Sequence, residues 1–161
     1  MNDKEEQFIR IVEDHKRTIY KVCYMFSKEP YEIEQLFQEI LIRLWLGLDS
    51  FDGRSETRTW VYRVALNVAI NRQKVLSRRV KTVPLILQVE PMAPDDERKQ
   101  QIDELYRLIS QLDVMDKAIV MLWLEELSYA DIAAIVGISP TNVGTRLLRI
   151  KNKLVEKGKA N

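Results

Sequence analysis

Residues 127–154, LSYADIAAIVGISPTNVGTRLLRIKNKL, decide the fold of the carboxy-terminal part of this chain. The stretch predicts two short helices joined by a tight turn, because apolar residues recur at helical spacing on both sides of Gly137. Ser128 is a candidate N-cap of the first helix, with Asp131 in the capping-box position. Gly137 suits the left-handed conformation that ends a helix, and Pro140 suits the first turn of the next one.

The second of these helices is expected to have two different faces. Apolar residues at spacings of three and four are expected to face inward: Val143, Leu147, Ile150 and Leu154. Five of the remaining positions carry side chains that can contact phosphates and base edges, which predicts a DNA-binding helix-turn-helix. An ordinary amphipathic helical hairpin with a glycine turn would show a similar pattern. The outward residues are Thr141, Asn142, Thr145, Arg146 and Arg149.

The composition favours an all-α protein. Only five Gly and five Pro occur in 161 residues, and residues that favour helices are frequent. The single cysteine, Cys23, excludes a disulfide framework and a thiolate metal site, so a reducing, cytoplasmic location is expected. No signal peptide is recognised, and no apolar run is long enough for membrane insertion.

Charge is distributed unevenly along the chain, although the formal net charge is only +1. Residues 1–53 carry 7 Lys and Arg against 11 Asp and Glu, and residues 54–81 carry 8 against 1. Residues 101–140 carry 2 against 7, and residues 141–161 carry 6 against 1. Each basic segment is a candidate footprint on DNA, while solvated helix faces that segregate by charge are the simpler alternative.

Proline and apolar spacing divide the chain into two helical parts. Residues 82–97 contain three of the five prolines and are interpreted as part of a linker. The expected organisation is two all-α domains, residues 1–77 and 97–161, joined by a linker at 78–96. Helices are predicted, outside the helix-turn-helix, at residues 5–27, 31–48, 60–76, 96–112 and 115–126.

Residues 33–74, IEQLFQEILIRLWLGLDSFDGRSETRTWVYRVALNVAINRQK, resemble region 2 of sigma factors, the initiation subunits of bacterial RNA polymerase. The helix-turn-helix block resembles their region 4. A chain with only these two regions and a short linker is similar to the extracytoplasmic-function (ECF) group, and the resemblance covers roughly residues 5–156. It implies a region 2-like helical bundle and a region 4-like helix-turn-helix domain.

The resemblance implies a polymerase-binding surface on the helix at 31–48. In the family this helix docks on the clamp coiled coil of the largest polymerase subunit. An aromatic anchor flanked by polar side chains is favoured at interface hot spots, although Trp45 could instead belong to the core of its own domain. The positions that match the family are Leu36, Gln38, Glu39, Arg43 and Trp45.

The resemblance also implies a surface that binds the −10 promoter element, in the loop 51–59 and the helix after it. Family members hold an unstacked base in a pocket of this loop, and polar, cationic and aromatic side chains suit that task. For Trp60 the alternative is a structural role, as a ring that staples two helices. The residues expected to contact DNA are Asp52, Arg54, Ser55, Arg58, Trp60, Tyr62, Arg63, Asn67, Asn71 and Arg72.

In the region 4-like block, the outward residues of the second helix fall where the family contacts the −35 element in the major groove. Gly144 lies inside that helix, where a glycine costs about 1 kcal/mol relative to alanine. It either lets the backbone approach DNA closely or is tolerated without a function.

The expected function is a promoter-specificity subunit of RNA polymerase that works at −35 and −10 elements. Its expected partners are core polymerase, promoter DNA and an anti-sigma factor, with no small-molecule substrate, cofactor or metal. The alternatives are a stand-alone helix-turn-helix regulator and a helical adaptor that binds polymerase without contacting DNA. An enzyme is disfavoured, because the one histidine, His15, lies outside any cluster of ligands or nucleophiles and no phosphate-binding loop is present.

Overall fold

The computed structural model of the chain describes residues 2–51, 53, 56–79 and 97–159, and this part is helical with no strand. The expected all-α fold is confirmed. The helices are α1 (Asp3–Phe26), α2 (Pro30–Gly47), a short 3-10 turn (Leu48–Ser50), α3 (Thr57–Arg79), α4 (Glu97–Ser110), α5 (Val114–Leu124), α6 (Tyr129–Val136) and α7 (Pro140–Lys159).

Helices α1, α2 and α3 pack on one another and form the first domain. The Asn2 side chain accepts a hydrogen bond of 2.8 Å from the Glu5 amide and caps α1, and Pro30 lies in the first turn of α2. The apolar faces of α1 and α2 meet in the core, where their largest fully buried side chains are Ile19, Leu36, Ile40 and Leu44.

Helix α3 is longer and more deeply enclosed than its sequence predicts. The prediction was three residues short at each end, because the hydrogen bond from the Trp60 amide to the Glu56 carbonyl already belongs to a helical turn. The predicted domain end at residue 77 therefore falls inside α3. Tyr62 and Leu66 are buried, since α3 is covered by α1, α2 and the second domain.

The second domain is built around α5, whose residues 117–122 are all buried. The predicted helix-turn-helix is confirmed on its far side. The Ser128 Oγ accepts from the Asp131 amide at 3.1 Å, and the Ser139 Oγ accepts from the Asn142 amide at 3.1 Å. Between these two caps, Gly137 has the left-handed φ of 80° that its place at the end of α6 predicts.

The turn between α5 and α6 has the hydrogen bonds of a Schellman motif. The Glu126 amide donates to the Trp123 carbonyl at 2.9 Å, and the Leu127 amide donates to the Leu122 carbonyl at 3.2 Å. Glu126 itself has a φ of 64°, a conformation that favours glycine. The turn is thus held in a fixed shape at some conformational cost.

The two domains touch through α1 and α3 on one side and α4, α5 and α6 on the other. Lys117 of α5 is 3% exposed at this boundary, and its Nζ donates to the Met25 carbonyl at 3.3 Å. The same Nζ lies 4.8 Å from the centre of the Phe26 ring. Burial, with a smaller effect of Lys28, lowers the pKa of Lys117 to about 8. Within the described residues, no helix is both long and apolar enough to span a membrane.

The two left-handed residues give a matched pair of stability predictions. We expect Gly137→Ala to lower the free energy of unfolding by about 1 kcal/mol, because alanine is strained at positive φ. We expect Glu126→Gly to raise it by a similar amount, because the strain is then relieved. Urea denaturation followed by circular dichroism measures both changes. A change of the same sign in both variants would contradict the assignment of a left-handed conformation to residues 126 and 137.

Lys117 predicts a dependence of stability on pH. Above about pH 8 the folded protein has released the Lys117 proton, whereas the unfolded chain keeps it up to the ordinary pKa of 10.5. The unfolded state then binds more protons, so stability rises with pH across this window. We expect the free energy of unfolding of the wild type to rise relative to that of Lys117→Met, and parallel pH profiles would contradict the burial of a titrating lysine.

Candidate nucleic-acid interface

Helix α7 separates its two faces as the sequence predicts. Val143, Leu147 and Ile150 are at most 1% exposed and hold the helix on α5 and α6. The opposite face lies in solvent, and Arg149 there has no ion pair within the described residues. The exposed members of the predicted DNA-contacting set are Thr141, Asn142, Thr145 and Arg149. These four side chains form one polar surface along the amino-terminal half of α7.

Arg146, the fifth predicted residue, is placed differently. Its Nη1 lies 3.3 Å from the Asp116 Oδ1 on α5, and both side chains are largely covered. Burial and the neighbouring Asp113 raise the pKa of Asp116, while Arg146 acts in the opposite direction. In this conformation Arg146 therefore fastens α7 to α5. Lys151 does the same one turn later, with its Nζ 4.2 Å from the centre of the Trp123 ring.

Gly144 faces the ring of Tyr129 on α6 and not the exposed surface of α7. A Cβ added at Gly144 would lie 3.4 Å from the Tyr129 Cε2, at the near limit of ordinary contact. A side chain as small as alanine would fit there, so the packing of α6 on α7 does not require the glycine.

The two aromatic residues predicted to stack on unpaired bases are buried. The Trp60 ring stacks on Phe51 with 4.6 Å between ring centres and lies over Gly47. These contacts give Trp60 a structural role in the first domain. Tyr62 is fully buried, and burial together with the nearby Glu125 raises its pKa. In this conformation neither ring is open to a base, because both pack in the core of the first domain.

Cationic side chains of α3 are held by acidic partners. Arg72 donates to the Glu32 Oε2 at 2.7 Å and to the Glu39 Oε2 at 3.2 Å, and these carboxylates raise its pKa. Gln35 completes the group at 3.2 Å. The sequence analysis missed these partners, although the spacing of residues 32, 35 and 39 places them on one face of α2. Arg58 contacts Glu125 of the second domain, and the buried Arg63 Nε has no partner within the described residues.

The structure brings part of the two predicted region 2 surfaces together. Asn67 and Asn71 are exposed on α3, and with Glu39 and Arg43 of α2 they line a cavity of about 370 Å³. The amides that were expected to contact DNA therefore lie beside side chains expected to contact polymerase. A ligand seated in this cavity would meet hydrogen-bonding groups of both helices.

The predicted polymerase-binding residues divide between core and surface. Leu36 is 1% exposed and packs in the core in this conformation, whereas Gln38 and Arg43 are exposed. Trp45 is half-buried, with Phe8 against its edge and the Lys4 Nζ 4.0 Å from its ring centre. Two apolar residues that the sequence analysis missed, Ile42 and Leu46, are 58% and 62% exposed beside them on α2. The sequence could have indicated them, because both are apolar, lie four residues apart and fall outside the buried apolar stripe of α2.

Three predicted loop residues, Asp52, Arg54 and Ser55, lie outside the described residues, as does the linker from residue 80 to 96. Within the described part, no group of three His, Cys, Asp or Glu side chains is arranged to hold a metal ion. Burial lowers the pKa of His15, which Asp14 opposes, and burial raises the pKa of Cys23 to about 12.

Two family models match the chain. The model of sigma-70 region 2 matches residues 11–79, and the model of sigma-70 region 4 matches residues 102–154. The ECF RNA polymerase sigma factor SigW of Bacillus subtilis is 30% identical over 93% of this chain and 88% of its own length. The ECF sigma factor SigX of the same organism is 24% identical over 94% of this chain and 85% of its own length.

Solved structures share the fold. The sigma factor RpoE of Bartonella quintana, in complex with the anti-sigma factor NepR, aligns with a TM-score of 0.75 at 19% identity, covering 100% of this chain and 99% of that one. CnrH in complex with the cytosolic domain of CnrY aligns with a TM-score of 0.70 at 18% identity, covering 98% and 90%. At these identities the likeness concerns the arrangement of helices.

Proposed function

The chain belongs to the ECF group of sigma-70 family RNA polymerase sigma factors, and from this premise we propose which of its surfaces direct polymerase to promoters. The first domain, which ends with α3 at Arg79, contacts core polymerase and the −10 element. The second domain, from residue 97 onward, contacts the −35 element. The linker between them limits the spacing between the two DNA sites, and nucleotide addition itself belongs to the polymerase.

The observation that carries this proposal is the exposed polar face of α7. A helix inserted in the major groove needs donors and acceptors on one face and a firm anchor on the other. Thr141, Asn142 and Arg149 supply the first, and the buried Val143, Leu147 and Ile150 supply the second. Arg149 is the candidate for a guanine or phosphate contact, while Arg146 sets the position of the helix on α5.

In the first domain, polymerase and DNA would use neighbouring surfaces. The exposed face of α2 combines charged and amide side chains with apolar ones, which is the mixture that protein interfaces favour. On α3, Asn67 and Asn71 offer amides to base edges. Arg63 offers charge to phosphates, and so do Arg58 and Arg72 once their present ion pairs open. The proposed polymerase surface comprises Gln38, Glu39, Arg43, Trp45, Ile42 and Leu46.

Each DNA-contacting surface is small, so neither is expected to hold promoter DNA tightly by itself. Core polymerase would display both surfaces at once, and the second contact then forms at a high effective concentration. The separation of acidic and basic segments fits this division, with basic segments toward DNA and acidic ones toward polymerase. Free chain should therefore bind promoters much more weakly than the complex with polymerase.

Control by an anti-sigma factor is the further part of the proposal. RpoE and CnrH, which share this arrangement of helices, are each seen with a partner, NepR in one case and the cytosolic domain of CnrY in the other. A comparable partner in the cytoplasm would cover the polymerase-binding face of α2 in this chain. Pull-down from the native cell checks this, and recovery of polymerase subunits alone would contradict it.

Arg149 and Arg146 provide a matched test of the DNA-contacting face. We expect Arg149→Ala to reduce transcription from −35/−10 promoters by about tenfold or more, the loss of one good base or phosphate contact. Arg149 is exposed and has no ion pair in the described part of the chain. The free energy of unfolding of the Arg149→Ala variant should therefore differ from that of the wild type by less than about 0.5 kcal/mol. In vitro transcription with core polymerase, together with urea denaturation, gives both quantities.

Arg146→Ala serves as the control. It leaves the largely covered Asp116 without its partner, so the free energy of unfolding should fall by about 1–3 kcal/mol. If Arg149→Ala left transcription unchanged while the protein stayed folded, the outward face of α7 would not be the DNA-contacting surface.

A further inference from the structure

Glu125, the first residue of the α5–α6 turn, joins the two domains through its charge. Its carboxylate pairs with Lys21 of α1, and its Oε2 lies 3.8 Å from the Arg58 Nη2 of α3. Arg58 also donates to the main-chain carbonyl of Glu125. One residue of the second domain thus offers its carboxylate and main-chain oxygens to two cations of the first, across 104 and 67 positions of sequence.

Hydrogen bonds of the α5–α6 turn and of Lys117 on α5 fix the position of Glu125. The Schellman hydrogen bonds hold the main chain of the turn, including the strained Glu126. Nearby, the Lys117 Nζ finds its acceptor in the Met25 carbonyl. A buried ammonium needs its partner in place, so Lys117 restricts the sliding of one domain on the other. Glu125 is therefore presented to Lys21 and Arg58 in one arrangement.

We propose that Glu125 acts as an internal competitor of DNA, pairing with Lys21 and Arg58 so that the free chain stays closed and Arg58 is withheld from phosphates. Carboxylate and phosphate oxygens are the same kind of acceptor for a guanidinium group. A DNA phosphate that took the place of Glu125 beside Arg58 would have to displace both its main-chain oxygen and its carboxylate. The effect on DNA binding rests on the proposed function, in which Arg58 contacts the −10 strand. The closed contact between the two domains does not depend on the proposed function.

The exposure of these side chains makes the contact reversible. Lys21 and Arg58 are each 41% exposed, and Glu125 is 24% exposed. Water and salt therefore reach the ion pairs, each of which contributes little, and ionic strength weakens them. A binder that offers Arg58 a better acceptor can open the boundary without unfolding either domain.

The first test measures the distance between the domains in the full chain. Spin labels are attached through Gln7→Cys on α1 and Ala134→Cys on α6, both exposed positions. Cys23 is buried with a raised pKa and should not react. Glu125→Lys places a third cation beside Lys21 and Arg58. Glu126→Lys, at the exposed next position, makes the same change of net charge and serves as the control.

Double electron–electron resonance at low salt should give one short distance between the two spin labels when Glu125 is unchanged. We expect Glu125→Lys to increase the population at longer distances about fivefold, roughly the effect of one exposed ion pair. Glu125→Gln, which keeps the size of the side chain, should shift the distances in the same direction by less, and Glu126→Lys should not shift them. Unchanged distances in both Glu125 variants, or an equal shift in Glu126→Lys, would overturn the closed contact.

The second test measures binding of the free chain to a short fluorescein-labelled single-stranded DNA of mixed sequence at low salt. We expect Glu125→Lys to bind several-fold more tightly than Glu126→Lys, and this difference should disappear when Arg58→Ala is added to both. If the domains open but the two variants bind DNA equally, competition for Arg58 is wrong while the closed contact stands. The proposed promoter function is judged separately, by transcription with polymerase.

Discussion

The burial of one side of α7 is the constraint on which the rest of this structure depends. Val143, Leu147 and Ile150 are anchored against α5 and α6, so Thr141, Asn142, Thr145 and Arg149 are left on the side that faces solvent. The caps at Ser139 and Gly137 set the start of the helix and hence the rotation of that polar face. The buried apolar side chains thereby determine which polar side chains of α7 stay exposed.

Burial also decides between competing roles in the first domain. Leu36, Trp60 and Tyr62 have side chains suited to a partner or to a base, yet all three are buried in the core, where their apolar surface is removed from water. The side chains that remain outside are amides, charges and two apolar residues, Ile42 and Leu46. Interaction surfaces of this protein are thus what packing leaves exposed, and part of the cationic surface is held back by carboxylates.

Local features could be predicted from the sequence, and contacts between distant elements could not. Ser128, Gly137 and the stripe of α7 follow from rules that span a few residues, as does the division into helical parts. The ends of α3 were underestimated, and its buried Tyr62 was missed, because a helix covered on several sides has no single apolar stripe. The pairing of Lys21 with Glu125 is invisible to any local rule, since only the packing of the two domains brings these residues together.

The measurement that tests the central claim most directly is run-off transcription on a mixed library of genomic promoters, with purified core polymerase and with or without this chain. The account predicts new transcription start sites that appear only when the chain is present and that share −35 and −10 motifs at a fixed spacing. No new start sites, together with tight binding of the free chain to DNA, would contradict it and favour a stand-alone helix-turn-helix regulator.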